Sequence, residues 1–214
     1  MTAEPSRPAD RPRGHLARAL RWTTAALVGS DPSPGEVAVA LATALAGTLV
    51  AVGAGAAAGL PWTAVLVVGV IAFDFFGGAA ATSTPAAGRR YHGPGRTLRH
   101  HLLFVALHVQ PFVLALFVPG LGWWTAAALY LLALAGAVAV GLTPLALRTP
   151  VALGATVTGS AAALVLLPVP GALVWLAPVM LVKLLIGHML PGAEQRRTGE
   201  AAHGTEEGRS GGAA

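Results

Sequence analysis

The chain has 214 residues, of which 55% are hydrophobic and only 11% are charged, and its mean hydropathy is +0.67. Soluble domains carry about 25% charged residues, so a chain this apolar cannot cover a water-facing surface. The composition therefore excludes a soluble enzyme domain, an extramembrane sensor domain and an ATP-binding module. The absence of cysteine excludes thiol catalysis, disulfides and cysteine-ligated iron–sulfur clusters.

The N-terminal region differs in composition from the rest of the chain. Residues 1–13 are rich in proline and arginine, and we expect them to be disordered. Over residues 14–30 the leucines fall on one face of a helix and Arg18 and Arg21 on the opposite face. This pattern predicts an amphipathic helix that lies on the surface of an anionic bilayer. The string Ser33-Pro34-Gly35-Glu36 then predicts a capping box at the start of a helix.

Six apolar segments follow, each long enough to cross the hydrocarbon core of a membrane. The predicted spans 1 to 6 cover residues 37–59, 61–80, 100–118, 123–142, 150–167 and 171–190. Thr149-Pro150 predicts an N-cap followed by proline at the first helical position of span 5. Residues 191–214 are polar and are predicted to form a disordered tail. The predicted fold is an all-α, polytopic membrane protein, a six-transmembrane-helix bundle with an N-terminal interfacial helix.

The distribution of basic residues predicts the orientation. If the N-terminus lies inside the cell, every arginine falls in a tail, in the long connection 81–99 or in the connection that holds Arg148. The three outside connections contain neither lysine nor arginine, as the positive-inside rule requires. We therefore expect a multi-pass protein of the cell (inner) membrane with both termini in the cytoplasm. Four tryptophans at the outer ends of the spans fit an aromatic belt, namely Trp62, Trp123, Trp124 and Trp175.

Three ionisable residues lie well inside the predicted spans: Asp74, His108 and Lys183. Charged groups cost about 2.5–3.5 kcal/mol at the centre of a membrane helix and are functional candidates by default. At a rise of about 1.5 Å per residue, all three lie at about the same depth. One interpretation makes Asp74 an acid or base, His108 its partner and Lys183 an electrostatic neighbour. The other is structural, with Asp74 and Lys183 in a buried ion pair and His108 donating to a carbonyl group.

A second group of polar residues is predicted at the cytoplasmic ends of the same spans. Its members are candidates for holding an anionic headgroup: Arg89, Arg90, Tyr91, His92, His101 and His188. Interfacial residues that simply contact headgroups are the alternative. No His-x-x-x-His or His-x-x-His-His string is present, so the sequence predicts no metal site and no cofactor.

The string Phe73-Asp74-Phe75-Phe76 is the most unusual local feature. An acid flanked by aromatic rings could protonate an alkene and shield the resulting carbocation through cation–π contacts. The alternative is that the rings only pack against lipid and neighbouring helices.

These features lead to three functional hypotheses. The first is an intramembrane enzyme that acts by acid/base chemistry on a lipid- or isoprenoid-like substrate from the cytoplasmic leaflet, with Asp74, His108 and Lys183 as its catalytic residues. The second is a small proton-coupled transporter or exporter with Asp74 and His108 as the proton relay. The third is a non-catalytic membrane assembly subunit. Expected partners are anionic membrane lipids and a hydrophobic small molecule rather than nucleic acid, and the oligomeric state is left open.

Overall fold

A computed structural model describes residues 31–191 of the chain. Over this range the chain forms helices and turns without a strand, and six helical segments are long and apolar enough to cross a membrane. These observations confirm the all-α six-span bundle. The predicted interfacial helix over residues 14–30 and both predicted tails lie outside the described residues, apart from Pro191.

Spans 1 and 2 form a pair of long helices, α1 (Pro34–Ala57) and α2 (Trp62–Thr82). The capping box predicted at Ser33 is confirmed. The Ser33 hydroxyl accepts a hydrogen bond from the Glu36 amide at 3.2 Å, and the Glu36 carboxylate accepts one from the Ser33 amide at 2.6 Å. After α1 the chain turns at Gly59, whose φ of +70° is a left-handed conformation that glycine adopts without steric cost.

A short helix, α3 (Pro85–Tyr91), follows α2 and is fixed to the start of α1. The Thr84 hydroxyl caps it by accepting a hydrogen bond from the Ala87 amide at 3.2 Å. The second carboxylate oxygen of Glu36 accepts a hydrogen bond from the Ala86 amide at 3.0 Å. One carboxylate therefore caps two helices and sets the position of the chain that leads to His92.

Span 3 is a broken helix made of α4 (Leu98–Ala106) and α5 (Gln110–Phe117). Pro111 has no amide hydrogen to donate to the Leu107 carbonyl one turn back, which explains the break. The Tyr130 hydroxyl donates a hydrogen bond to the Ala106 carbonyl at 3.0 Å and so satisfies one of the freed acceptors.

Spans 4 and 5 are α6 (Trp123–Leu142) and α7 (Arg148–Leu166), with a 3-10 turn at Leu145–Leu147 between them. The predicted N-cap at Thr149 is wrong, because α7 already begins at Arg148. The Arg148 guanidinium donates to the Thr143 carbonyl at 3.0 Å and to the Gly141 carbonyl at 3.2 Å. Arg148 thus caps the end of α6, and Pro150 lies in the first turn of α7, where a missing N–H costs little.

Span 6 is the central helix of the bundle and has three parts. It runs through a 3-10 turn (Gly171–Leu173), helix α8 (Leu176–Leu181) and a π-helix (Val182–His188). Of its most apolar stretch, 61% is buried within the protein, compared with 22% for span 1. The fully buried core side chains include Phe75, Leu114, Leu129, Leu176 and Leu184.

Because successive spans alternate in direction, the described arginines and the exposed tryptophans lie at opposite ends of the bundle. The basic end carries Arg89, Arg90, Arg96, Arg99 and Arg148. At the tryptophan end, Trp62, Trp123 and Trp124 are 76%, 55% and 90% exposed, as a belt requires. Trp175 does not belong to this belt, because it packs inward against Phe76 with the ring centroids 5.5 Å apart.

Candidate functional site

Asp74 on α2 and Lys183 on the π-helix form an ion pair in the middle of the bundle. Lys183 Nζ lies 2.7 Å from Asp74 Oδ2, so these two residues lie at one depth, as their positions in the sequence predict. The two partners differ in burial, since the Lys183 side chain is 4% exposed and that of Asp74 is 48% exposed. The cation is therefore enclosed by protein, whereas the carboxylate reaches the surface of the bundle.

The approach of Lys183 to Asp74 depends on Gly78, one helical turn after Asp74. A Cβ atom at Gly78 would lie 2.5 Å from Lys183 Cε and 2.9 Å from Nζ. The lysine stem therefore passes over bare backbone of α2. Phe75 covers the ammonium group from another side, with Lys183 Nζ 5.0 Å from the ring centroid, a distance suited to a cation–π contact.

Gln110 at the start of α5 completes what we call the ion-pair site (Asp74, Gln110 and Lys183). Its Nε2 donates a hydrogen bond to Asp74 Oδ2 at 3.3 Å. The opposite amide orientation would turn Oε1 towards the carboxylate, so the observed one is favoured. Gln110 Oε1 is buried and lacks a hydrogen-bond partner in the described part of the chain. Gln110 was not among the predicted site residues, although an amide next to Pro111 inside an apolar span is a signal of a polar site.

A cleft between α1 and α2 opens onto the ion-pair site from the lipid-facing surface. It has a volume of ≈ 270 Å³, and among residues 31–191 Asp74 is its one charged lining residue, with Leu41, Val70 and Phe73 among the apolar ones. Val70 and Phe73 also line a second apolar cleft of ≈ 580 Å³ that continues towards Trp62. Together the clefts form one apolar groove, which we call the α1–α2 groove. Within residues 31–191, no hydrogen bond engages Asp74 Oδ1.

The three phenylalanines beside Asp74 point in different directions. Phe73 lines the α1–α2 groove, Phe75 contacts Lys183, and Phe76 packs against Trp175. These rings therefore do not form an aromatic cage around the carboxylate. The carbocation hypothesis is thus not supported by the geometry, and the packing alternative is.

His108 lies at the break in span 3 and fits the structural interpretation better than the catalytic one. Its Nδ1 donates to the Phe104 carbonyl at 2.7 Å, replacing the backbone hydrogen bond lost where the helix breaks. A carbonyl only accepts, so Nδ1 carries a proton, and in the neutral ring Nε2 keeps the lone pair. The His108 ring stacks on Phe75, with a centroid separation of 6.3 Å. No hydrogen bond joins His108 to Asp74 in the part of the chain that the structure describes.

Four of the six residues predicted at the cytoplasmic end come together in one aromatic group. His101 Nδ1 and His188 Nε2 are 3.3 Å apart, His92 Nε2 donates to the His188 carbonyl at 3.1 Å, and the His92 and His101 rings stack at 4.7 Å. We call these three residues the histidine cluster. The Tyr91 ring meets the His188 ring edge-on at 4.8 Å.

The Phe104 ring contacts both the histidine cluster and His108. It stacks on His188 at 3.8 Å and lies 4.7 Å from the His108 ring. The sequence predicts that the histidine cluster and His108 lie at different depths, but it does not indicate that an aromatic side chain connects them. Phe104 was missed because a phenylalanine in an apolar span gives no signal that separates it from a lipid-facing residue.

The cluster members are poorly placed for direct headgroup binding. His188 is 2% exposed, and burial lowers the pKa of His92 below its ordinary value of 6.5. The hydrogen bond to the His188 carbonyl opposes this lowering of the His92 pKa, and the nearby Arg148 charge adds to it. His92 is therefore neutral at pH 7. Of the arginines, Arg90 lies over the Tyr91 ring at 5.7 Å and Arg89 donates to the Asp31 carbonyl at 3.3 Å.

Within residues 31–191, no group of three or more histidines and carboxylates has the arrangement needed to hold a metal ion. Comparisons of the chain with protein-family models, with characterised proteins and with solved structures found no significant match. The function must therefore be argued from the site itself.

Proposed function

We propose that this integral membrane protein is an intramembrane enzyme that acts on a lipid-like substrate bound in the α1–α2 groove. The observation that carries the proposal is the position of Asp74, a carboxylate that reaches an otherwise apolar groove while a buried lysine holds its other side. A half-exposed charge inside hydrocarbon is costly. Such a residue is more readily explained by a ligand than by packing.

The free hydrogen-bonding capacity of the ion-pair site indicates the class of ligand. Asp74 Oδ1 and the buried Gln110 Oε1 are both acceptors without a described hydrogen-bond partner, whereas the Lys183 ammonium is enclosed by protein, with its side chain 4% exposed. A ligand that reaches Asp74 from the α1–α2 groove is therefore expected to bring a hydrogen-bond donor, such as a hydroxyl or an amine. The apolar groove on both sides of Asp74 suits a long hydrocarbon or isoprenoid chain.

Each residue of the site has a role in this proposal. Asp74 accepts a proton from the O–H or N–H group of the substrate, and this activates that group as a nucleophile. Lys183 provides the counter-charge of the carboxylate, and the hydrogen bonds from Lys183 and Gln110 to Oδ2 orient it. His108 Nε2 offers a second basic nitrogen one aromatic ring away, so we assign it a supporting role and not direct partnership with Asp74.

The position of the basic end indicates the leaflet from which the substrate enters. By the positive-inside rule, this end faces the cytoplasm, and the cleft beside Asp74 extends towards it through Val37 and Ala81. We accordingly propose that the substrate enters from the cytoplasmic leaflet.

A cleft-blocking variant tests this function without altering the ion pair. Val70 is 64% exposed and lines both parts of the α1–α2 groove, and Val157 on α7 is 66% exposed at a different lipid-facing surface. We would compare Val70→Trp, the matched control Val157→Trp and Asp74→Asn with the unmodified protein. The readouts are the lipids of expressing cells and the lipids retained by the purified protein in native mass spectrometry.

The expected result is a lipid product that depends on the unmodified protein, persists with Val157→Trp, and disappears with Val70→Trp and Asp74→Asn. The retained lipid should likewise be lost from Val70→Trp and kept by Val157→Trp. A product that survives both groove and Asp74 substitutions in folded protein would end this proposal.

Proton-coupled transport is a second candidate because the two helices facing Asp74 are irregular at its depth. Span 3 breaks between α4 and α5, and the π-helix of span 6 begins immediately before Lys183. Interrupted helices beside a charged layer are typical of transporters, and π-helical segments occur often at functional sites. Flux driven by a pH gradient in proteoliposomes and abolished by Asp74→Asn would favour transport over catalysis. Flux that is indifferent to Asp74→Asn would exclude it.

A further inference from the structure

A third cleft, separate from the ion-pair site and from the α1–α2 groove, lies between α4 and α6 at the basic end. Its volume is ≈ 910 Å³, and its lining includes Arg99, His100, Leu102, Leu103, Ala106 and Leu134. The polar residues belong to the first turn of α4, and the apolar ones continue along α4 to Ala106, about 10 Å further into the bundle at 1.5 Å per residue. The cleft thus has a polar mouth and an apolar interior.

The mouth of this cleft carries hydrogen-bond donors. His100 Nδ1 accepts from the Thr97 amide at 3.2 Å and lies 2.9 Å from the Thr97 hydroxyl. An accepting Nδ1 leaves the proton of the neutral ring on Nε2, which is therefore a donor. Arg99 adds a guanidinium, which has donors only and matches the geometry of a phosphate.

The positive charge at the mouth is not balanced by the protein over the described range. Residues 31–191 contain six lysines and arginines but only Asp31, Glu36 and Asp74 as acids. Asp74 is paired with Lys183, and Glu36 caps α1 and α3. Arg96 and Arg99 are both exposed, and neither forms an ion pair with a described residue.

We propose that the cleft between α4 and α6 is a specific binding site for an anionic phospholipid of the leaflet at the basic end. The lipid phosphate binds to Arg99 and His100, and one acyl chain lies against Leu103, Ala106 and Leu134. Charge complementarity selects an anionic headgroup over a zwitterionic one, because a choline or ethanolamine group would bring a second cation to a mouth that already has an excess of them. The proposal does not depend on any role of the ion-pair site.

The test uses native mass spectrometry of the full chain in detergent, with phosphatidylglycerol and phosphatidylcholine added in turn. Arg99→Gln removes the phosphate ligand, and Arg96→Gln removes the same charge from an exposed residue that is not among those lining the cleft. Leu103→Trp fills the apolar interior. Its matched control is Leu131→Trp, since the two leucines are 59% and 58% exposed and Leu131 is not among the residues lining the cleft.

We expect phosphatidylglycerol to bind more tightly than phosphatidylcholine, and Arg99→Gln to weaken its binding about tenfold, the usual effect of losing a charge-assisted hydrogen bond. Leu103→Trp should weaken it too, and neither control should. Equal binding of the two lipids, or equal losses with Arg99→Gln and Arg96→Gln, would overturn the proposal. Displacement of phosphatidylglycerol by inorganic phosphate together with an unaffected Leu103→Trp would also overturn it, because the site would then recognise a free anion.

Discussion

The ion-pair site and the histidine cluster are both polar groups inside an apolar bundle, but they are stabilised in different ways. Lys183 and Asp74 carry opposite charges and satisfy each other at 2.7 Å. His92, His101 and His188 instead bond to one another and to a backbone carbonyl. A lysine or carboxylate needs an opposite charge in hydrocarbon, whereas an imidazole can remain neutral and supply both a donor and an acceptor.

The ion-pair site and the histidine cluster also share a structural element. Lys183 and His188 are both part of the π-helix in span 6, and Phe104 connects the histidine cluster to His108 near the ion-pair site. Substitutions in the ion-pair site should therefore lower the free energy of unfolding by leaving a charge unpaired. Those in the histidine cluster should instead change how stability depends on pH.

The largest effect is expected for Asp74→Leu. This change leaves the Lys183 ammonium enclosed by protein without a counter-charge, and breaking a buried pair costs about 3–5 kcal/mol. Lys183→Met should cost less, because the remaining carboxylate reaches the α1–α2 groove. The free energy of unfolding in mixed micelles measures both. The double variant Asp74→Leu/Lys183→Met should recover most of the loss, so a strictly additive double variant would contradict a coupled pair.

A smaller effect is expected for Gly78→Ala, which places a Cβ atom 2.9 Å from Lys183 Nζ. Displacing the lysine stem should lower the free energy of unfolding by about 1–3 kcal/mol, the usual cost of overpacking. Gly154→Ala is the matched control, because a Cβ atom there meets nothing within 4 Å. The control should be neutral or stabilising, since alanine favours a helix over glycine by about 1 kcal/mol. Equal losses for both variants would show that Lys183 does not need the absence of a side chain at position 78 to reach Asp74.

The histidine cluster should show its effect in the pH dependence of stability. Burial lowers the pKa of His92 in the folded protein, so the unfolded chain binds the proton first. Stability is then complete above the ordinary pKa of 6.5 and falls as the pH drops below it. His101 stacks on this ring, the Arg148 charge opposes a positive charge on it, and the hydrogen bond to the His188 carbonyl favours one.

His92→Gln isolates this contribution, because a glutamine amide can still donate to the His188 carbonyl but does not titrate. Melting temperatures in detergent between pH 7.5 and 5.5 should fall less steeply for His92→Gln than for the unmodified protein. An unchanged slope would assign the acid sensitivity to other groups.

The sequence predicted those features that depend on local chemistry or on depth alone. The capping box at Ser33 and the common depth of Asp74 and Lys183 both follow from residue type and helical rise. Features that depend on which helix faces which were not predicted. The break in span 3 places Gln110 against Asp74. Phe104 on the same span stacks on His188, which lies in the π-helix of span 6.

The incorrect expectations have the same origin. Thr149-Pro150 has the local pattern of a helix start, but the Arg148 side chain bonds to the end of α6 and the helix begins earlier. Trp175 has the position of a belt residue, yet it packs against Phe76 on a neighbouring span. A pattern within one segment cannot show a contact between two segments, and both errors are of this kind.

The smallest effect is expected for Tyr130→Phe, at the break that separates the two halves of span 3. The hydroxyl donates to the Ala106 carbonyl at 3.0 Å, and loss of such a bond costs about 0.5–1.5 kcal/mol. The free energy of unfolding at pH 7.5 should fall by this amount. If the ion-pair site and the histidine cluster are stabilised independently, the slope of stability between pH 7.5 and 5.5 should not change. A steeper dependence of stability on pH in Tyr130→Phe would mean that the break between α4 and α5 couples the protonation of the histidine cluster to the position of Gln110.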